Sequence, residues 1–295
     1  MATKKETTLL DSSLNTVALA DKKYYKNYNI KILDCKEYKQ IYVFDKTKIR
    51  TVKSLENKLS YKGNSKKQPT NDDDNVSFKN INRSKFTLQR LVKCNIECWR
   101  SFITLTFKDN IKDLTVAYRT FRRFVINTQK RLKDFKYVCV PEYQKNGKVH
   151  YHLVTNIDLN DLSLCYHQTF KNKDYVHLRL WSKELDENNE PIGYGYDLVE
   201  TVRDKDGNDT KKICGYISKY ISKSYISDSF FNHNRYYSSQ NLNRPIEILL
   251  DLDNPLDYEK FISITTGHEL IYSNNYQDDY NNNIIFYEYL KETND

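Results

Sequence analysis

Between Glu142 and His152 the chain reads Glu-Tyr-Gln-Lys-Asn-Gly-Lys-Val-His-Tyr-His, and no other run constrains the fold as strongly. Side chains two apart in an extended strand point to the same face, so a strand through this segment sets His150 and His152 side by side. Asn146-Gly147 is a hairpin signal and makes the run ending in Glu142 the partner strand. The register of that hairpin decides the chemistry. A two-residue turn at Asn146-Gly147 pairs Lys145 with Lys148 and leaves Glu142 opposite Tyr151, facing away from the histidines. A three-residue loop over 145–147, with Gly147 in the left-handed conformation, pairs Glu142 with His150 instead. Only the second register brings one carboxylate and two imidazoles together. That set suits Mg²⁺ or Mn²⁺ acting on phosphate better than the thiolate-rich set of structural zinc. Two satisfied histidines on an ordinary strand are the plainer alternative.

A second run, Cys214-Gly-Tyr-Ile-Ser-Lys-Tyr-Ile-Ser-Lys-Ser224, repeats Tyr-Ile-Ser-Lys in tandem. Read as a helix, it sets Tyr216 and Tyr220 one turn apart on one face, and Lys219 and Lys223 one turn apart on a neighbouring face. A tyrosine phenolate can attack a phosphodiester and keep the 5′ phosphate as a covalent ester, with a metal polarising the phosphate and a lysine offsetting charge. In a chain with 25 tyrosines, an amphipathic helix with aromatics turned to the core is the competing reading.

Together these residues resemble the HUH endonuclease superfamily, the rolling-circle replication initiators and their relatives, over roughly residues 102–223. Phe102-Ile-Thr-Leu-Thr-Phe107 looks like the family's first motif, and His150-Tyr-His152 like its His-hydrophobic-His metal motif. The Glu142 spacing is similar to that of a third metal ligand in geminivirus-type initiators. Tyr216 to Lys223 looks like the paired-tyrosine motif of initiators from small single-stranded DNA phages, and fits the single-tyrosine Tyr-x-x-Lys form twice. The resemblance implies an α+β fold with a central antiparallel sheet of about five strands and flanking helices. It also implies a metal-dependent endonuclease and strand transferase that nicks single-stranded DNA at an origin hairpin. In that reading Glu142, His150 and His152 are the Mg²⁺ or Mn²⁺ ligands. Tyr216 and Tyr220 are the nucleophiles, Lys219 and Lys223 orient or neutralise the phosphate, and a host helicase and replication proteins are partners. Thr104 and Thr106 fall near the site without an assigned role. A relaxase or transposase of the same superfamily, and a nucleic-acid-binding protein without catalysis, are the alternatives.

Charge is unevenly spread over the 295 residues. Residues 246–295 carry 11 acidic and 2 basic side chains, a net of −9, against +17 for residues 1–245. The excess concentrates in 46–67, with 8 basic and 1 acidic, and in 108–148, with 11 and 4. A basic face of this kind suits release of counterions from a nucleic-acid backbone. No apolar run approaches the roughly 18 residues of a membrane span, and the first residues do not open a signal-peptide core. Six cysteines without a Cys-x-x-Cys pair fit reduced thiols, and the expected location is the cytoplasm of a bacterial host.

These features divide the chain into an N-terminal segment 1–83 with a basic linker and no assigned role, an endonuclease domain 84–245, and an acidic segment 246–295. The acidic segment is expected to fold over the basic face, to recruit a host protein, or to pack through Phe261, Ile264 and Ile284. Residues 71–75 (Asn-Asp-Asp-Asp-Asn) read as linker, and apolar spacing predicts helices from about 84 and over 114–132. A helix is predicted from Leu159 to Phe170, with strands Tyr175–Trp181 and Tyr196–Val202 beyond it. Asn232 to Pro245 reads as a polar, basic loop. His167, His177, His233 and His268 lack paired neighbours and read as structural.

Overall fold

The computed structural model describes residues 16–18, 24–51, 73–183, 186–188, 192–202, 234–278 and 280–292. The chain forms two compact units, residues 71–244 and residues 1–70 together with 245–295.

In the discontinuous unit, β1 (Thr16–Ala18), β2 (Tyr24–Cys35) and β3 (Tyr38–Thr51) share one antiparallel sheet with β11 (Ile246–Leu250), β12 (His268–Gln277) and β13 (Asn283–Lys291). Its order is β1-β2-β3-β13-β12, and β11 also pairs with β2. The pairing is set by apolar alternation: Ile32 stands opposite both Ile41 and Ile248, and Tyr287 opposite Ile41. Ile30, Ile32, Ile41 and Leu250 are buried, and α3 (Pro255–Thr265) lays Phe261 and Ile264 on them. Asn254 caps α3 by accepting from the Leu256 N–H, and Pro255 occupies a first-turn position where its missing N–H costs nothing. The acidic residues of 246–295 partly face the basic residues of β2 and β3. Glu247 lies between Arg50 and Lys31, and Asp278 reaches Lys48. The sequence reading treats 1–83 and 246–295 as separate segments, whereas strand pairing joins parts of both in one sheet.

The 71–244 unit is an α+β structure. Its sheet has the order β10-β5-β6-β4-β9, from β4 (Ser101–Phe107), β5 (Tyr137–Tyr143), β6 (Val149–Thr155), β9 (Gly195–Thr201) and β10 (Tyr237–Ser238), all antiparallel. Helices cover both faces. On one, α2 (Leu114–Arg131) buries Leu114, Ala117, Phe121, Phe124 and Val125 against Ile103, Leu105, Tyr151 and Leu153. Asp113 caps it, accepting from the Thr115 N–H at 2.6 Å. On the other, Leu88, Leu91 and Val92 of α1 (Asp73–Lys93), with Trp99, pack on Phe102, Val138, Val140 and Val154. Helix α1 begins inside the stretch read as linker; acidic residues in a first turn complement the positive end of the helix dipole.

The helix predicted over Leu159–Phe170 does not form. Asp158 and Asp161 accept hydrogen bonds from the backbones of Asn160 and Ser163, closing local turns that compete with a helix. The chain then becomes β7 (Cys165–Phe170), paired with β8 (Lys173–Leu178). Lys171 and Asn172, at φ 49° and 60°, make the two-residue hairpin turn between them. No described helix is long and apolar enough to cross a membrane.

Candidate functional site

Strands β5 and β6 adopt the register that pairs Glu142 with His150. Gln144 N–H donates to the Lys148 carbonyl at 2.8 Å, and the Gly147 N–H donates back to the Gln144 carbonyl at 2.8 Å. The Asn146 side chain accepts from the Lys148 N–H at 3.0 Å. Gly147 sits at φ +81°, a conformation glycine takes without a Cβ penalty. The site then follows from strand parity. On the face covered by α1, β5 reads Val138, Val140, Glu142; β6 reads Val154, His152, His150; and β4 reads Phe102, Thr104, Thr106. Each strand changes from apolar to polar at the same level, so a hydrophobic floor gives way to a cluster of chemical groups.

Glu142, His150 and His152 line one cavity of about 570 Å³ with hairpin residues 143–146. Each imidazole meets a threonine of β4 through Nδ1: His152 with Thr104 Oγ1 at 3.1 Å, His150 with Thr106 Oγ1 at 3.4 Å. When the threonine hydroxyl accepts, Nδ1 carries the proton and Nε2 presents its lone pair to the cavity. Sequence reasoning left these threonines without a role; their place opposite the histidines is the signal that finds them.

His152 Nε2 contacts Glu142 Oε2 at 2.6 Å, while His150 Nε2 is buried without a hydrogen-bond partner. Among the described residues, no three His, Cys, Asp or Glu side chains stand in positions to hold a metal ion. The Glu142–His152 contact accounts for this here. Two ligands of one octahedral Mg²⁺ at 2.0–2.1 Å lie about 2.9 Å apart, so this pair is hydrogen-bonded and must part by about 0.3 Å to share an ion. The chemistry of the donors fits such an ion. One carboxylate oxygen and two imidazole nitrogens face a single cavity, and a buried orphan Nε2 is a group that lacks a partner.

Burial first, and then the neighbouring His152, push the pKa of His150 down to about 4; Glu142 opposes the shift and Lys148 adds to it. At neutral pH His150 is therefore uncharged.

Residues 100–225 match a family model described as replication-associated protein, of the ORF2 type. This match takes in β4, β5 and β6 and runs through the tandem Tyr-Ile-Ser-Lys repeat. The chain is also 30% identical over 135 residues to the Phasyl DNA replicon protein arp of Escherichia coli. That similarity covers 43% of this chain and 44% of the relative, so the chain spans less than half the length of the replicon protein it matches. No solved structure matches the chain.

Tyr216, Lys219, Tyr220 and Lys223 lie outside the described residues. Of the other histidines, His177 bonds Asp197 at 2.7 Å, His167 bonds the Leu159 carbonyl, and His268 bonds backbone carbonyls of Thr266 and Lys36. His233 lies outside the described residues. On α2, Arg119, Arg122, Arg123, Lys130 and Arg131 are exposed around the buried apolar stripe.

A pH dependence follows from His150. Its folded pKa lies below the unfolded value near 6.5, so above pH 6.5 the shift has no effect on stability. Below that, the unfolded chain takes up the proton first, and stability falls until the folded imidazole is itself protonated near pH 4. The expected loss is on the order of 2 kcal/mol. Urea unfolding of the wild type and of His150→Gln at pH 7 and pH 4.5 checks it; the variant lacks this part of the loss.

Proposed function

We propose that the 71–244 unit nicks and rejoins single-stranded DNA, and that the chain initiates rolling-circle replication. The observation that carries this reading is the convergence of Glu142, His150 and His152 on one cavity, with the buried Nε2 of His150 left unpartnered. The replication-associated family match and the likeness to a replicon protein support the replication context. Glu142, His150 and His152 would hold Mg²⁺ or Mn²⁺, which polarises the oxygens of the scissile phosphodiester.

The tyrosines supply the covalent step. The phenolate oxygen of Tyr216 or Tyr220 forms a bond to the phosphorus, and the bond from phosphorus to the 3′ oxygen breaks. The 5′ phosphate stays on the enzyme and the departing 3′ oxygen takes up a proton. Lys219 and Lys223 offset charge on the phosphate. Attack by a 3′ hydroxyl on the phosphotyrosine runs the step backwards and rejoins the strand. An origin hairpin is the substrate, and a host helicase with other replication proteins of a bacterial cytoplasm are the partners.

The decisive experiment incubates the protein with Mn²⁺ and single-stranded DNA from its own replicon, labelled downstream of the origin nick. A labelled protein band that survives denaturation is the expected result; cleavage without attached protein, or no cleavage, overturns the reading. Thr104→Val and Thr106→Val test the support of the ligands. Each removes the hydroxyl that holds Nδ1 and is expected to weaken Mn²⁺ binding roughly tenfold to a hundredfold, as read by calorimetric titration.

A further inference from the structure

On the α2 side of the 71–244 unit, across the sheet from Glu142 and the histidines, lies a second cavity of about 410 Å³. Three cationic side chains line it, Arg131, Arg179 and Lys183, and no carboxylate does. Two of them are fixed in place. Arg131 Nη1 donates to the Ser163 carbonyl at 2.6 Å, and Arg179 Nε donates to the carbonyls of Leu162 and Cys165 at 2.8 and 3.0 Å. The Arg179 guanidinium also lies over the Tyr166 ring at 5.5 Å. These bonds use one nitrogen of each guanidinium and leave the other N–H groups for a ligand. Lys183 is exposed at φ +52° and makes no ion pair among the described residues.

The rest of the wall is apolar and aromatic: Leu180, Ile192 and Tyr194. Gly193 puts the last two there. A Cβ at this position would fall 1.9 Å from the Trp181 carbonyl oxygen, so only glycine permits so close an approach. The Gly193 N–H donates to the Ser182 carbonyl at 3.2 Å and the Tyr194 N–H to the Trp181 carbonyl at 2.8 Å. Those bonds clamp the segment against the turn that carries Lys183.

We propose that this cavity is a nucleoside-phosphate site, independent of the endonuclease reading. Guanidinium forks and an ammonium with no acidic neighbour in the cavity select an anion with several oxygens, for which phosphate is the fitting chemistry. Arg131, Arg179 and Lys183 take the phosphate, and Tyr194 with Ile192 and Leu180 takes the flat base. The volume falls within the range of sites for small organic ligands. The nucleotide can come free from solution or as one unit of a DNA strand, and the two sources separate experimentally.

The full chain, in EDTA to remove any contribution of metal at Glu142, His150 and His152, is titrated with dATP and with a 15-nucleotide oligothymidylate. The wild type is compared with Arg131→Gln/Lys183→Gln, a pair of exposed positions that the fold tolerates. Arg123→Gln/Lys130→Gln, also exposed on α2 but outside the cavity, matches it in charge. If the site holds a strand, the cavity pair weakens oligothymidylate binding at least tenfold and lowers the slope of log affinity against log salt by about 1.4. If it holds a free nucleotide, dATP binding falls at least tenfold while oligothymidylate binding stays within twofold. Tyr194→Leu weakens whichever probe binds by threefold or more. Equal losses in the charge-matched control, or unchanged binding of both probes in the cavity pair, overturn the proposal; an unchanged affinity in Tyr194→Leu removes the base-binding part.

Discussion

Tyr216→Phe and Tyr220→Phe combined in one chain are expected to eliminate the covalent protein–DNA adduct, a loss of roughly 10⁴-fold or more in cleavage. Each single substitution is expected to keep cleavage of a short single-stranded substrate within about tenfold of the wild type. The reason lies in the tandem repeat: each tyrosine has its own lysine three residues on, so either can serve as nucleophile beside a cation. An initiator with both can nick with one, carry the 5′ end around the replicated circle, and attack the regenerated junction with the other. The substitution removes only the phenol oxygen, so folding and DNA binding survive. The assay is denaturing electrophoresis with DNA labelled at the 5′ side of the transferred strand. Loss of adduct in one single variant alone makes this a one-tyrosine enzyme. Cleavage by the double variant moves the nucleophile elsewhere, with Tyr225 the next to test.

Glu142→Gln, His150→Ala and His152→Ala are each expected to cut cleavage by about 10³-fold, the equivalent of roughly 4 kcal/mol of transition-state stabilisation. The three should differ in how they respond to metal. Glu142→Gln keeps the size of the side chain but removes the charge, so raising Mn²⁺ restores part of its activity. His150→Ala loses a nitrogen that makes no hydrogen bond in the fold, so its stability at pH 7 should change less than its activity. Thermal unfolding run beside the cleavage assay separates the two effects. Full cleavage by any of these variants would remove that residue from the ligand set.

The hairpin at Glu142 was legible because its signals are local. Asn146-Gly147, one glycine able to take φ +81°, and a two-residue alternation over His150 and His152 fix the register within a dozen residues. The threonines were not, because their role depends on which strand lies beside β6; only the pairing of Thr104 with His152 and Thr106 with His150 gives them one. The misread helix at Leu159–Phe170 shows the limit of apolar spacing over a short run. Leu159, Leu162, Cys165 and Tyr166 satisfy a helical period, but Asp158 and Asp161 hold the local backbone in turns, and Lys171-Asn172 reverses the chain without a glycine to announce it. The sheet that joins 1–70 with 245–295 left no local trace at all. Tyr42 and Phe286, whose rings lie 5.1 Å apart, are far distant in sequence, and nothing near either residue specifies the other.

That discontinuous sheet also sets an order of events at the ribosome. Strands β2 and β3 are made before the 71–244 unit, yet β11 and β13, which flank them, emerge only after it, roughly 200 residues past the end of β3. At 5–20 residues per second the first strands wait about 10–40 s with both edges unpaired, which exposes backbone to other nascent chains. The inserted unit carries its own strand pairings and cores, so it can fold during that interval. Once folded, it shortens the effective loop that the late strands must close. The catalytic candidate would then be in place before the sheet that brackets it, and slowed translation across 246–291 should lower the yield of intact chain more than the same delay within 101–155.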